Sequence, residues 1–344
     1  MMEIQSEVKH TYTMILAGDV GGTKTLLGLF EKAPGRPRPI AVRSFATLDH
    51  ETFEAIVDVF LSDAAVRTTS ITTVSIGAAG PVIDNAADLT NVPWPVDGRR
   101  LGAALATPRV VVLNDLQAMA HAVPVLQPAE LQVLQQGTRV AHGNMALIAA
   151  GTGLGEALIH NVDGRFVPSA SEGGHADFAA RTEREIAVLR DVTKRHGRAD
   201  IEHVLSGRGL INIHRATHAA PCAAAVDLDD AMAPSVISAA ALDRRCPGCV
   251  EALDLFVEAY GAQAGNLALQ SVATGGVFIG GGIAPKILPA LTSGVFMRAF
   301  RAKPPLDHLL ASIPVHVILN ADAGLLGAAV YANDQIRLPA PSAG

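Results

Sequence analysis

Three glycine-rich segments have the composition to hold an anion against the backbone. Gly18-Asp19-Val20-Gly21-Gly22-Thr23-Lys24 pairs glycines that let N–H groups approach a phosphate with a hydroxyl donor, Thr23, and a cation, Lys24. Asp19 offers oxygen ligands that can hold a magnesium ion directly or through water. The spacing is not that of a Walker A loop, and a Gly-Gly pair on its own also reads as a tight hairpin turn. Gly151-Thr152-Gly153-Leu154-Gly155 repeats the glycine-plus-threonine chemistry. Two such loops in equivalent places of a duplicated chain can grip a polyphosphate from both sides. Gly280-Gly281-Gly282-Ile283-Ala284-Pro285 permits close backbone contact with a flat or phosphate-bearing group. Alone it also reads as a strand-to-helix turn, with Pro285 in the first turn of the helix.

Carboxylates and a histidine form the second group. Asp115, after Asn114 at a strand end, sits where an α/β domain points side chains at its ligands; the same Asp would also cap a helix starting at Leu116. In Ser171-Glu172-Gly173-Gly174-His175, an acid and an imidazole separated by two glycines are poor core material. They suit hydrogen bonds to sugar hydroxyls as acceptor and donor, and they lack the helical spacing of a metalloprotease pair. Glu202, ahead of Ser206-Gly207-Arg208-Gly209, is a further carboxylate near a helix start, where it also reads as a first-turn acid.

These residues need elements to position them. Short apolar runs at 12–17, 26–30 and 40–45, separated by turn residues, predict a three-strand meander with the first glycine loop after its first strand. A helix is expected over 51–65, where Phe53, Ile56, Val57, Phe60 and Leu61 share a face. Strands at 74–78 and 110–113 and a helix at 116–123 follow. The plan then repeats, with strands at 145–150, 157–160 and 165–168. Helices are expected at 183–195, 207–217, 234–242 and 250–273, strands at 277–279 and 315–319, and a closing helix at 323–331. The alternation implies α/β layers, and two related halves imply a cleft where ligands sit.

Composition bounds the rest. The chain has 344 residues, 49% hydrophobic and 17% charged, with net charge −6. That suits two globular domains and offers no basic stripe for nucleic acid. No apolar run approaches a membrane span of about 18 residues or a secretory signal, so a cytoplasmic protein is expected. Cys222, Cys246 and Cys249 are too few and odd in number for a disulfide framework. Cys246-Pro-Gly-Cys249 has the spacing of half a zinc site or a redox pair, but no second pair completes four ligands. An ordinary loop pair is expected there, and no zinc site.

Together these segments resemble the bacterial glucokinase family, of the sugar kinase–actin–Hsp70 type of fold, from about residue 17 to 331. Asp19 to Lys24 and Gly151 to Gly155 look like its phosphate loops, and 278–285 also fits. Leu89-Thr90-Asn91-Val92-Pro93-Trp94 looks like its sugar-side loop, and Asp322-Ala323-Gly324-Leu325-Leu326-Gly327 like its closing motif.

The resemblance implies a duplicated two-domain actin-like (ribonuclease H-like) fold with a central cleft. A small domain at 1–114, completed by 321–337, would accompany a large one at 115–320, with a disordered tail at 338–344. It further implies ATP-dependent phosphorylation of glucose with magnesium, Asp115 being the general base. Asn91, Asn114, Asp115, Glu172, His175 and Glu202 would hold the sugar. Gly18, Asp19, Gly21, Gly22, Thr23, Lys24, Gly151, Thr152, Gly153, Gly280, Gly281 and Gly282 would hold ATP. A homodimer is also implied. The chain departs from the pattern before Tyr12, at Arg208 and in the Ala/Asp-rich segment 219–230. Arg208 leaves the sugar open, so another hexose or an N-acetylated amino sugar is the alternative substrate.

Three rivals fit less well. A kinase of the repressor–open reading frame–kinase group usually carries zinc on cysteines just after its Glu-x-x-His pair, and no cysteine lies between Glu172 and Cys222. A sugar-sensing regulator needs a DNA-binding domain for which the stretch before Asp19 is short. An actin-like filament protein has no use for the Asn-Asp and Glu-Gly-Gly-His pairs.

Overall fold

The computed structural model describes residues 14–64, 70–89, 92–218 and 221–335. They fall into two compact units. One runs to Val125 and resumes at Asp322; the other is Leu126–Ala321.

In the first unit, β1 (Met14–Val20), β2 (Lys24–Glu31) and β3 (Arg38–Ala46) form the expected antiparallel meander. Next comes α1 (Phe53–Asp63), whose first turn Thr52 caps by accepting from the Ala55 amide at 3.1 Å. Its predicted apolar face is buried. Then β4 (Ile71–Ala78) pairs parallel to β1. Three short strands, β5 (Val82–Ile83), β6 (Ala86–Ala87) and β7 (Val96–Asp97), make a small separate sheet that sequence reading did not find. The chain continues through α2 (Gly98–Leu105), β8 (Val110–Asn114) parallel to β4, and α3 (Asp115–Ala122). The sheet order is β3-β2-β1-β4-β8.

The second unit contains β9 (Leu131–Gln135), β10 (Met145–Ala150), β11 (Leu154–Val162) and β12 (Arg165–Ser171). Helices α4 (Glu183–His196), α5 (Gly207–Thr217), α6 (Ala233–Leu242) and α7 (Pro247–Ser271) follow. After β13 (Gly276–Gly280) come α8 (Leu288–Thr292), α9 (Val295–Arg301), α10 (Asp307–Ser312) and β14 (Val315–Ile318). Finally α11 (Ala323–Gln335) returns to the first unit. The second sheet, β12-β11-β10-β13-β14-β9, repeats the first: a meander whose first strand pairs parallel to the next, with a further parallel strand outside it. β9 is an added antiparallel edge. The α/β duplication read from the sequence is therefore present strand for strand.

The division falls at 125/126, not at 114/115. The reason is the packing of α3. Strand side chains alternate between faces, and Leu16 and Val20 of β1 pack with α1. Ile15 and Ala17 pack on the other face with Ala118 of α3 and Leu325, Ala328 and Ala329 of α11. Helix α3 thus closes the first unit's core. A Cβ on Gly327 would collide with the Ala118 carbonyl oxygen, so α3 and α11 run backbone against backbone. In the second unit α7 is the central helix, with Phe256, Tyr260 and Leu267 among its buried side chains. No helix among the described residues is long and apolar enough to cross a membrane.

Candidate active site

In the first unit the glycine loop is the β1–β2 turn. Asp19 lies inside β1, opposite Leu26 of β2 and beside Gly77 of β4, so the turn itself is Gly21-Gly22-Thr23. The Gly21 amide donates to the Lys24 carbonyl at 3.0 Å, and the buried Thr47 hydroxyl donates to the Gly21 carbonyl at 2.8 Å. The Thr47 amide bonds the Thr23 carbonyl at 3.0 Å. The loop is thereby held from beneath while Thr23 and Lys24 stay exposed. Thr47 carried no signal in the sequence, because its role exists only once the hairpin has formed.

Strand alternation puts Asp19 on the same face as Ile15 and Ala17, toward α3 and α11. There it meets the first turn of α11: a Cβ on Gly324 would lie 2.5 Å from Asp19 Oδ2. Burial, and then the Asp115 carboxylate, push the Asp19 carboxyl up to about 6; Lys24 opposes and Asp322 adds to the rise. Three carboxylates and one lysine leave surplus negative charge on oxygen donors only, a donor set that fits a hard cation such as magnesium.

Asp115 is not the helix cap. Asn114 caps α3: its Oδ1 accepts from the Leu116 and Gln117 amides at 3.0 and 3.2 Å, and its Nδ2 donates to the Gly80 carbonyl at 3.1 Å. Asp115 is the first helical residue, where the helix dipole favours an anion, and it accepts from the Leu116 amide at 2.8 Å. Asn91 lies outside the described residues, as do the segment before residue 14 and the tail after residue 335.

In the second unit the other two glycine turns come together. The Gly151 carbonyl, in the β10–β11 turn, accepts from the amide of Gly207 at the start of α5, at 2.9 Å. The Ala150 carbonyl accepts from Ile283 at 3.2 Å, and a Cβ on Gly281 would collide with it. Gly281 has φ +83°, so glycine is needed there on both counts. Cβ atoms on Gly151 and Gly282 would meet open space, and Thr152 is exposed. Tyr260 anchors the strand leading in, its hydroxyl accepting from the Ala150 amide at 3.2 Å.

Glu202 belongs to this turn as much as to the sugar-type residues. Its Oε2 accepts from the Leu154 amide at 2.9 Å, and a Cβ on Gly153 would lie 2.6 Å from that oxygen. Its own amide donates to the Gly174 carbonyl at 2.8 Å, which ties the Glu172–His175 turn to the same place. Glu172 and His175 are both exposed. Two carboxylates that sequence reading missed support them. Asp200, buried, faces His175 with Oδ2 3.4 Å from Nδ1, and accepts from the His203 amide at 2.8 Å. Glu156, buried and raised in pKa by desolvation, accepts from Gln263 at 2.8 Å, and a Cβ on Gly173 would collide with it. Neither sits in a motif, so only the folded contacts reveal them.

The cysteines are not a loop pair. Cys246 is the N-cap of α7 and Cys249 lies in its first turn, with Pro247 at the helix start. Cys222, His214 and His218 join them, which the sequence reading did not anticipate although His-x3-His-x3-Cys was there to be seen.

The glucokinase family model matches residues 16–335. The glucokinase of Nostoc punctiforme is 37% identical, the match covering 93% of this chain and 99% of the relative. That of Synechocystis sp. is 38% identical over 92% and 97% of the two chains. Among solved structures, a glucokinase from an Antarctic psychrotroph superposes with TM-score 0.83 at 26% identity, covering 94% of this chain and 99% of its own. With both glycine-turn sheets in the order described and the match running nearly end to end, the chain belongs to the glucokinase family.

Proposed function

We propose that this chain transfers the γ-phosphoryl group of ATP to the 6-hydroxyl of glucose, giving glucose 6-phosphate and ADP. The observation that carries the reading is the division of labour at the start of α3. Asn114 does the capping, and Asp115, the first helical residue, places its carboxylate close enough to that of the half-buried Asp19 to raise it. A helix cap would need no such neighbour.

In this reading Asp115 takes the proton from O6 as that oxygen attacks phosphorus. The bond from phosphorus to the bridging oxygen breaks, and ADP leaves with the electron pair. Phosphoryl transfer is mostly positioning and charge stabilisation. Gly18, Gly21, Gly22, Thr23 and Lys24, with Gly151, Thr152, Gly153 and Gly280 to Gly282, are assigned to the nucleotide. Asn91, Glu172, His175 and Glu202 are assigned to sugar hydroxyls, and Asn114 holds Asp115 in place as well. Asp19, directly or through water, would hold magnesium, which would supply positive charge for the phosphate oxygens. A cytoplasmic homodimer is the setting that the family resemblance implies.

The test is ATP consumption with magnesium across glucose, mannose, fructose, N-acetylglucosamine and N-acetylmannosamine. Turnover strongest with glucose is expected. Turnover strongest with an amino sugar would replace the substrate, and Arg208 would be the first residue to exchange.

A further inference from the structure

Three sulfurs and two imidazoles converge in the second unit, none of them a residue assigned above. Cys222 Sγ lies 3.8 Å from Cys246 Sγ and 3.7 Å from Cys249 Sγ. His218 Nε2 lies 3.2 Å from Cys246 Sγ. One ligand atom from each of His214, His218, Cys222 and Cys249 falls within 4.8 Å of all the others. No disulfide accounts for this, because a bonded pair of sulfurs is about 2.05 Å apart and all three cysteines are free. Zinc–sulfur bonds of about 2.3 Å in a tetrahedron put sulfurs roughly 3.8 Å apart, which is the separation found.

Two further observations point to a ligand at this spot. Cys246 and Cys249 are buried, and His214 is buried with neither ring nitrogen hydrogen-bonded. Gly248 lies directly under the His218 ring: a Cβ there would stand 2.8 Å from its Nε2 and Cδ2. The Cys-Pro-Gly-Cys turn is thus shaped to seat that imidazole.

We propose that this cluster is a structural zinc site, with Cys222, Cys246 and Cys249 as thiolate ligands and His218 Nε2 as the fourth. His214 stacks edge-on beside His218, ring centroids 4.5 Å apart, and shields the site. Four protein ligands close the coordination sphere, so the role is structural and not catalytic. The metal would tie the end of α5 and the turn at Cys222 to the first turn of α7. Helix α5 begins at the Gly151 turn and α7 carries Tyr260, so the staple braces two elements that hold that turn. The sequence reading of an ordinary cysteine pair is replaced by this assignment.

The test uses the full chain, reduced and stripped of metal, titrated with cobalt(II) and then zinc(II). The expected result is tetrahedral-thiolate cobalt absorption that saturates at about one equivalent and is bleached by zinc. Cys222→Ser and Cys249→Ser should each abolish it, His218→Ala should weaken binding tenfold or more, and His214→Ala should retain the bands. Because the serine variants could fail to fold, the wild-type titration stands by itself. No absorption at stoichiometric cobalt in the folded, reduced wild type would overturn the proposal. Loss of the bands in His214→Ala with retention in His218→Ala would overturn the assignment of the fourth ligand. As a second readout, removing zinc should lower the melting temperature by more than about 5 °C; no shift would count against a structural role.

Discussion

Gly324 stands against the carboxylate of Asp19: a Cβ at position 324 would lie 2.5 Å from Oδ2. The first turn of α11 can approach the half-buried acid only because that residue has no side chain. Within a helix, Gly→Ala normally gains about 1 kcal/mol. Here Gly324→Ala should leave the melting temperature little changed, as the helix gain offsets the clash, while kcat/KM falls roughly tenfold or more through displacement of Asp19. Steady-state kinetics beside thermal melts of the two proteins check this. Unchanged kinetics would mean that the position of Asp19 is not critical.

Asp19 should also make stability depend on pH. Its carboxyl is raised to about 6 in the folded chain from 3.8, chiefly by burial. Between those values the folded chain holds a proton that the unfolded chain has released. Stability therefore falls as pH rises through that window and levels off above it. Two pKa units correspond to roughly 2–3 kcal/mol. Without nucleotide or magnesium, Asp19→Asn should melt higher than wild type at pH 7.5, with the difference shrinking toward pH 4, and it should be inactive. A variant less stable than wild type at pH 7.5 would contradict the burial argument.

Glu202 should serve two substrates at once. One oxygen fixes the Leu154 amide in the Gly151–Gly153 turn. Leaving a buried amide unmet costs about 1–3 kcal/mol, so Glu202→Ala should raise KM for ATP roughly tenfold as well as weakening the sugar. Glu202→Gln keeps an acceptor and should raise KM for the sugar while leaving KM for ATP within about threefold. Equal effects of Gln and Ala on ATP would remove the link between the two.

What the sequence conveyed depended on how local the signal was. The glycine turns, the amphipathic α1 and the repeated meander were legible because each is written in adjacent residues or in one period. Asp115 read equally as a base or as a cap, and the bonds of Asn114 give the capping to that neighbour. Thr47, Asp200 and Glu156 were not legible, since each acts through a partner far along the chain. The domain boundary was misplaced because the apolar face of α3 does not say which sheet it covers. The cysteine cluster was missed because Cys222 lies 24 residues before Cys246, across the whole of α6.

The central claim rests on Asp115, and Asp115→Asn tests it most directly. Formation of glucose 6-phosphate with magnesium and ATP would be measured for both proteins, together with glucose affinity by equilibrium titration. The account predicts a wild type that forms the product and a variant that folds and binds glucose normally but turns over ~10²-fold or more slowly, as for a lost general base. Near-normal turnover in the variant would contradict it and return Asp115 to a structural place at the start of α3.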